Sequence, residues 1–140
     1  MAIQVYHRDD ASVRLPTIAR DARLVVWPGV GASTANMNYV LMAPGEANVP
    51  HVHPVSEDTL VVFAGEGTIE DLTRGVSHRF GAGQVVHVPP GIRHQVRADR
   101  GTPIESVGGP CPADLAGLRA AGVLGEEPRA PATEDGGAGA

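Results

Sequence analysis

Between residues 23 and 107 the chain is interrupted every few residues by glycine, proline or asparagine, and short runs rich in valine, isoleucine and threonine stand between the interruptions. Punctuation this dense excludes long helices, because a helix interior is destabilised by the freedom of glycine and broken by the missing N–H of proline. We read strands over 23–27, 37–42, 49–53, 59–63, 68–72, 77–80, 84–88, 94–97 and 104–107. Strands with no helix between them can bury their apolar faces only against one another, so the chain is expected to be all-β and to close into a sandwich or barrel. In TLVVF, 59–63, both alternating faces are apolar, which predicts a strand covered on each side. One helical pattern follows over 112–121, PADLAGLRAA, with Pro112 and Asp114 at its start and Leu115 and Leu118 at helical spacing. It is expected to pack across one end of the β core. A length of 140 residues suits one core. We place a single domain over 1–125 and expect 126–140, which is acidic, rich in Pro and Gly and without an apolar face, to be disordered.

Charge and cysteine content narrow the function. The net charge is -5 and all eleven basic residues are scattered arginines, so the basic footprint of a nucleic-acid binder is missing. Cys111 is the only cysteine, which excludes an internal disulfide and a thiolate metal cluster. No stretch has the pattern of a signal peptide or the apolar length of a membrane span, and the expected home is the cytoplasm, with no membrane partner.

The chemistry concentrates in two segments. The first, 50–67, reads PHVHPVSEDTLVVFAGEG. On an extended strand His51 and His53 project from the same face, about 6 to 7 Å apart, and their imidazoles can converge on one ion. A bare pair of this kind is equally a polar strand end facing water. The second segment, 83–94, runs from Gly83 through QVVHV to Pro89, Gly91 and His94, where Pro and Gly make a sharp turn that can return His94 toward the first pair.

Taken together, these segments resemble the cupin superfamily. The family's first motif, G(X)5HXH(X)3,4E(X)6G, maps onto Gly45, His51, His53, an acid and Gly65, and its second, G(X)5PXG(X)2H(X)3N, onto Gly83, Pro89, Gly91 and His94, with Ala98 where the family has Asn. The motif core thus spans 45–98. The resemblance implies a double-stranded β-helix, or jelly-roll, barrel with a metal held inside by His51, His53 and His94. For the acid, Asp58 fits the interval to Gly65, whereas Glu57 leaves that interval one residue too long. Asp is one methylene shorter than the family's Glu, so His87 is a candidate fourth ligand, its alternative being a core histidine bonded to backbone or to Asp58. His7 and His78 have no motif around them and are read as surface residues.

A four-histidine site would resemble the small zinc cupins among bacterial aromatic polyketide cyclases. On that resemblance the expected function is cyclisation and aromatisation of a poly-β-ketone. One divalent metal ion per chain would act as a Lewis acid, with zinc favoured and iron, manganese or nickel also compatible. Asp58, or a water held by the metal, would be the base. Tyr39 is either a hydroxyl donor in the pocket or a core residue, and Arg93 faces solvent or orients an anion. The competing readings are an Fe(II) dioxygenase acting on a small diketone or phenol, and a barrel that binds a small molecule without turnover. The resemblance also implies a homodimer, to which residues 3–7 could add a strand.

Overall fold

The structure, a computed structural model, describes residues 2–125; the stretch expected to be disordered, 126–140, lies outside them. Eight strands occur among the described residues: β1 Asp21–Val26, β2 Met37–Met42, β3 Glu57–Ala64, β4 Glu66–Asp71, β5 Val76–Gly81, β6 Val85–Val88, β7 His94–Ala98 and β8 Ile104–Cys111. They form a five-stranded sheet in the order β1-β2-β8-β3-β6 and a three-stranded sheet in the order β5-β4-β7. Every pairing is antiparallel. This is the expected double-stranded β-helix, with most of its core between the two sheets, where Val62, Ile69, Phe80, Val96 and Ile104 are buried together.

Gly65 makes the passage from one sheet to the other. It joins β3 to β4 with φ of 89°, and a Cβ at this position would collide with the backbone of Pro103 and stand 2.9 Å from Cα of Ile104. Only glycine lets the chain turn this tightly against β8.

β3 departs from expectation. Asp58, Leu60 and Val62 face inward, while Val61 and Phe63 on the other face are 39% and 58% exposed. No described element covers that side, so the apolar outer face of this strand is open to solvent.

The expected strand at 49–53 does not form. Its segment touches β7 through two isolated bridges, Ala47↔Arg97 and His51↔His94, whose registers are offset by one residue. Pro50 and Pro54 lack the N–H groups a ladder would use. Between the bridges Oδ1 of Asn48 accepts from the backbone N–H of Val96 at 2.8 Å, and Nε2 of Gln95 donates to the Asn48 carbonyl at 2.8 Å. The segment is therefore pinned to β7 without being a strand.

The helix is shorter than its sequence pattern: α1 spans Leu115–Ala120. Asp114 caps it, Oδ1 accepting from the Gly117 N–H at 3.0 Å. Leu118 is buried with Leu24, Trp27 and Ala113 in a second apolar cluster at one end of the barrel, where burying such a side chain contributes about 2 kcal/mol. No helix among the described residues is long and apolar enough to cross a membrane.

Candidate metal centre

The bridge between His51 and His94 is the scaffold of the site. Each donates its backbone N–H to the other's carbonyl, at 3.0 and 2.9 Å. Two residues far apart in sequence are thereby held side by side, with their imidazole centroids 4.3 Å apart. His53 follows two residues later, its carbonyl accepting from the Gly91 N–H at 2.9 Å, and its ring centroid lies 4.9 Å from that of His51. Asp58, one step into β3 on the inward face, completes the group. One donor atom from each of His51, His53, Asp58 and His94 lies within 4.8 Å of all the others.

The imidazoles are oriented by their outer nitrogens. Nδ1 of His51 lies 2.7 Å from the Val49 carbonyl, Nδ1 of His94 2.9 Å from the Ile92 carbonyl, and Nδ1 of His53 2.8 Å from Oδ2 of Asp114. Each of these oxygens can only accept, so each neutral ring carries its proton on Nδ1 and presents the Nε2 lone pair. Nε2 of His53 and Nε2 of His94 stand 3.6 and 3.5 Å from Oδ2 of Asp58. Ligands about 2.1 Å from a shared ion stand roughly 3 to 4 Å from one another, so these separations suit a common metal. Three imidazoles and one carboxylate are a donor set taken by zinc, iron and manganese alike. The residues fit a divalent ion.

Without an ion the electrostatics differ from ring to ring, and Nε2 of His53 can carry a second proton toward Asp58. Burial lowers the pKa of His51, aided by its imidazole neighbours, and the Val49 carbonyl only partly restores it. His51 is therefore held neutral. At His53 burial acts in the same downward direction, but the hydrogen bonds to Asp58 and Asp114 outweigh it and the pKa is raised. Burial pushes Asp58 upward, yet bonding and attraction from His53 and His94 prevail and hold its carboxyl at about 2. Asp58 is an anion at neutral pH although its side chain is only 13% exposed.

One sequence expectation changes here. His87 does not join the group. The pairing Thr59↔His87 and Asp58↔Val88 puts His87 on the outer face of β6, where its Nε2 lies 3.1 Å from Oε1 of Glu57 and its side chain is 54% exposed. Along β6, Val86 and Val88 face the core, while Val85 and His87 face water. Glu57, the other candidate acid, points the same way as His87. Tyr39 is buried outside the cavity, its ring 4.8 and 5.1 Å from the Arg8 and Arg23 guanidinium carbons. The exposed side chains of Arg93, His7 and His78 take no part.

Sequence reasoning missed Asp114. It was recognised as a helix start, and the structure gives it a second task, since its two oxygens serve the Gly117 N–H and the His53 ring at once. The C-terminal helix is thus tied to a candidate ligand. Ser56, 1% exposed, secures the same segment by donating to the Pro112 carbonyl at 2.7 Å.

The four donors open on a cavity of about 340 Å³ between the sheets, walled by aliphatic side chains including Leu60, Val40 and Met42 and closed at one end by α1. Among the described residues its only acids are Asp58 and Asp114, and no arginine lines it.

Comparison with known proteins places this geometry among relatives. The family model described as Cupin domain matches residues 38–107. Germin-like protein 3-5 of Oryza sativa subsp. japonica is 38% identical over 74 residues, 49% of this chain and 33% of that protein. Oxalate oxidase GF-3.8 of Triticum aestivum is 31% identical over 80 residues, 53% of this chain and 36% of that protein. The match to these relatives therefore spans about a third of their length. Among solved structures, the polyketide cyclase RemF from Streptomyces resistomycificus superimposes with a TM-score of 0.67 and 19% identity, covering 82% of each chain.

Proposed function

The chain belongs to the cupin family, and from that premise we propose that it is a metal-dependent cyclase that closes rings in a poly-β-ketone or a related oxygen-rich apolar chain. The observation that carries the reading is the set of three Nε2 lone pairs and one buried carboxylate facing an aliphatic cavity. His51, His53, His94 and Asp58 would hold one divalent ion. When bound, such an ion supplies Lewis acidity, polarising a carbonyl oxygen and acidifying the neighbouring C–H.

The chain's own residues do the rest. The aliphatic walls exclude water and restrict a flexible ketide to the few folds in which reacting carbons meet, which converts an improbable encounter into a local one. The Nδ1 partners, Val49, Ile92 and Asp114, keep the imidazoles from turning their lone pairs away. Asp114 is occupied by His53 and the helix backbone, which leaves Asp58 as the carboxylate that receives the substrate proton. An aspartate is a weak base and serves only where the C–H is already acidic, as a methylene between two carbonyls is.

A second reading, oxygen-dependent oxidation, draws support from the oxalate oxidase relative and from a donor set that equally suits iron or manganese. A cavity of this size, with no arginine among the described residues that line it, is a poor receptacle for a small dianion, so the oxidised molecule would be a larger diketone or phenol. Elemental mass spectrometry on protein purified without added metal is the first test. Zinc at about one ion per chain, with ring closure of a linear poly-β-ketone seen by mass spectrometry, supports the cyclase. Iron or manganese with oxygen uptake on a diketone would replace it with the oxidase. Asp58→Asn should reduce ring closure by at least about a hundredfold.

A further inference from the structure

The cavity that holds the histidines is also lined by two carboxamides that the proposed chemistry does not use. Asn38 lies on the inward face of β2 and Asn36 just before that strand. They are 3% and 7% exposed, and both line the cavity. Oδ1 of each is buried with no hydrogen-bond partner. An unpaired buried carbonyl opposes folding, so neither residue is accounted for by stability. Their amide nitrogens also converge. A Cβ built on Gly109 would stand 3.0 Å from Nδ2 of Asn38 and 3.1 Å from Nδ2 of Asn36, and Gly109 itself has φ of 152°. The missing side chain leaves a small cradle with two N–H donors on its rim.

The strand register fixes where this cradle lies. Asn38 pairs with Gly108, and Gly108 with Leu60, whose inward neighbour on β3 is Asp58. Two strand spacings, about 10 Å, therefore separate the backbone of Asn38 from the strand that carries the acid, and the amide nitrogens reach over Gly109 on the strand between. Gly108 and Gly109, which have no side chains, leave this floor of the cavity open. A flat molecule lying on it would meet the carboxamides along one edge and the acid with its histidines along the other.

We propose that Asn36 and Asn38, gathered over Gly109, form a subsite for a phenolic or enolic hydroxyl at the far end of a flat ligand whose near end meets the histidines. A hydroxyl oxygen accepts from the carboxamide nitrogens, whereas a bare hydrocarbon edge leaves both donors unmet. The proposal rests on reading the cavity as a substrate chamber and gives that chamber a substrate class: a ring system, or a ketide on its way to one, oxygenated at both ends.

The test uses a tricyclic quinone carrying a hydroxyl at each end and the same quinone with a hydroxyl at one end, titrated calorimetrically into the purified protein before and after chelator treatment. Wild type should prefer the two-ended probe by roughly tenfold. Asn38→Leu and Asn36→Leu should each erase that preference while melting at or a few degrees above the wild-type temperature, because an orphaned polar group has been removed. Gly109→Ala, which fills the cradle, should erase it as well. Three results would overturn the subsite: a preference retained in both Leu variants, failure of wild type to bind either probe, or a sharp fall in melting temperature of both Leu variants, which would make the pair structural. A preference that survives chelation and disappears in the variants upholds the subsite even if no metal is found and no ring is closed. Ring closure by both Leu variants with the preference intact upholds the cyclase reading alone.

Discussion

β3 carries two acids in succession that meet histidines on opposite faces. Glu57 points outward to His87 at 3.1 Å, and Asp58 points inward to His53 and His94 at 3.6 and 3.5 Å. The outer contact is the shorter, yet its side chains are 54% and 62% exposed, against 14% for His53, 3% for His94 and 13% for Asp58. Water screens the first pair and competes for its hydrogen bonds, while the low dielectric of the interior sharpens the second. The inner acid stands among three imidazoles and the outer one meets a single imidazole, so the number of donors and the side of the sheet together decide which grouping can hold an ion.

The comparison breaks most visibly at His94. Its backbone bridge to His51 survives truncation of the side chain, so His94→Ala should fold and still lose the metal, from about one ion per chain to background by elemental mass spectrometry. Full metal content in this variant would remove the inner grouping as the site.

Acid titration sharpens the contrast. The Asp58 carboxyl, ordinarily near 3.8, is held at about 2 in the folded chain. A depressed carboxyl stabilises the fold at pH values above its unfolded pKa, and that stability is lost as pH falls through the folded value. Urea melts of the metal-free protein should therefore lose about 2 kcal/mol between roughly pH 4 and pH 2, and Asp58→Asn should lack this step. His53, whose pKa is raised, acts in the opposite sense: its contribution is complete below pH 6.5 and fades as pH rises through the higher folded value. An identical acid limb in Asp58→Asn would show that the inner carboxylate is no better coupled than the outer one.

Asp114 tests whether the inner face needs outside support. Asp114→Ala removes the helix cap and the partner of His53 together, and should cost about 1 kcal/mol of stability and ten- to a hundredfold in metal affinity. Asp114→Asn keeps a capping oxygen while losing the charge, so stability should return more fully than affinity. Equal recovery of both would reduce Asp114 to a cap.

What could be read from the sequence follows the same division. Gly45, Gly65, Gly83 and Gly91, with His51, His53 and His94, sit at spacings that turn geometry imposes, and the barrel and three of its imidazoles were legible from them. Asp58 was chosen over Glu57 because one interval fitted, and the structure puts it beside those imidazoles. His87 was misplaced because β6 offers valines to both faces, so hydrophobicity could not say which side was inner; only the pairing with Thr59 does. Residues 49–53 looked like a strand because apolar alternation does not register the two missing proline N–H groups. Asp114 and the Asn36–Asn38 pair carry no local signal, since their significance comes from contacts with residues remote in sequence.

The smallest expected effect is on the outer face, and it decides whether the division by face is right. His87→Ala removes an exposed partner of Glu57 whose pairing in water is worth at most about 1 kcal/mol and typically less. Melting temperature should move by no more than a few degrees and metal content not at all. The neighbours of His87 argue for the same result: Val85, on the same face of β6, is 62% exposed, so no packed surface awaits collapse when the imidazole is removed. A fall in metal content in His87→Ala would mean that β6 turns this histidine inward when an ion is present. That would flip the register-defined faces of β6 and expose Val86 and Val88, a cost the barrel core could not easily absorb.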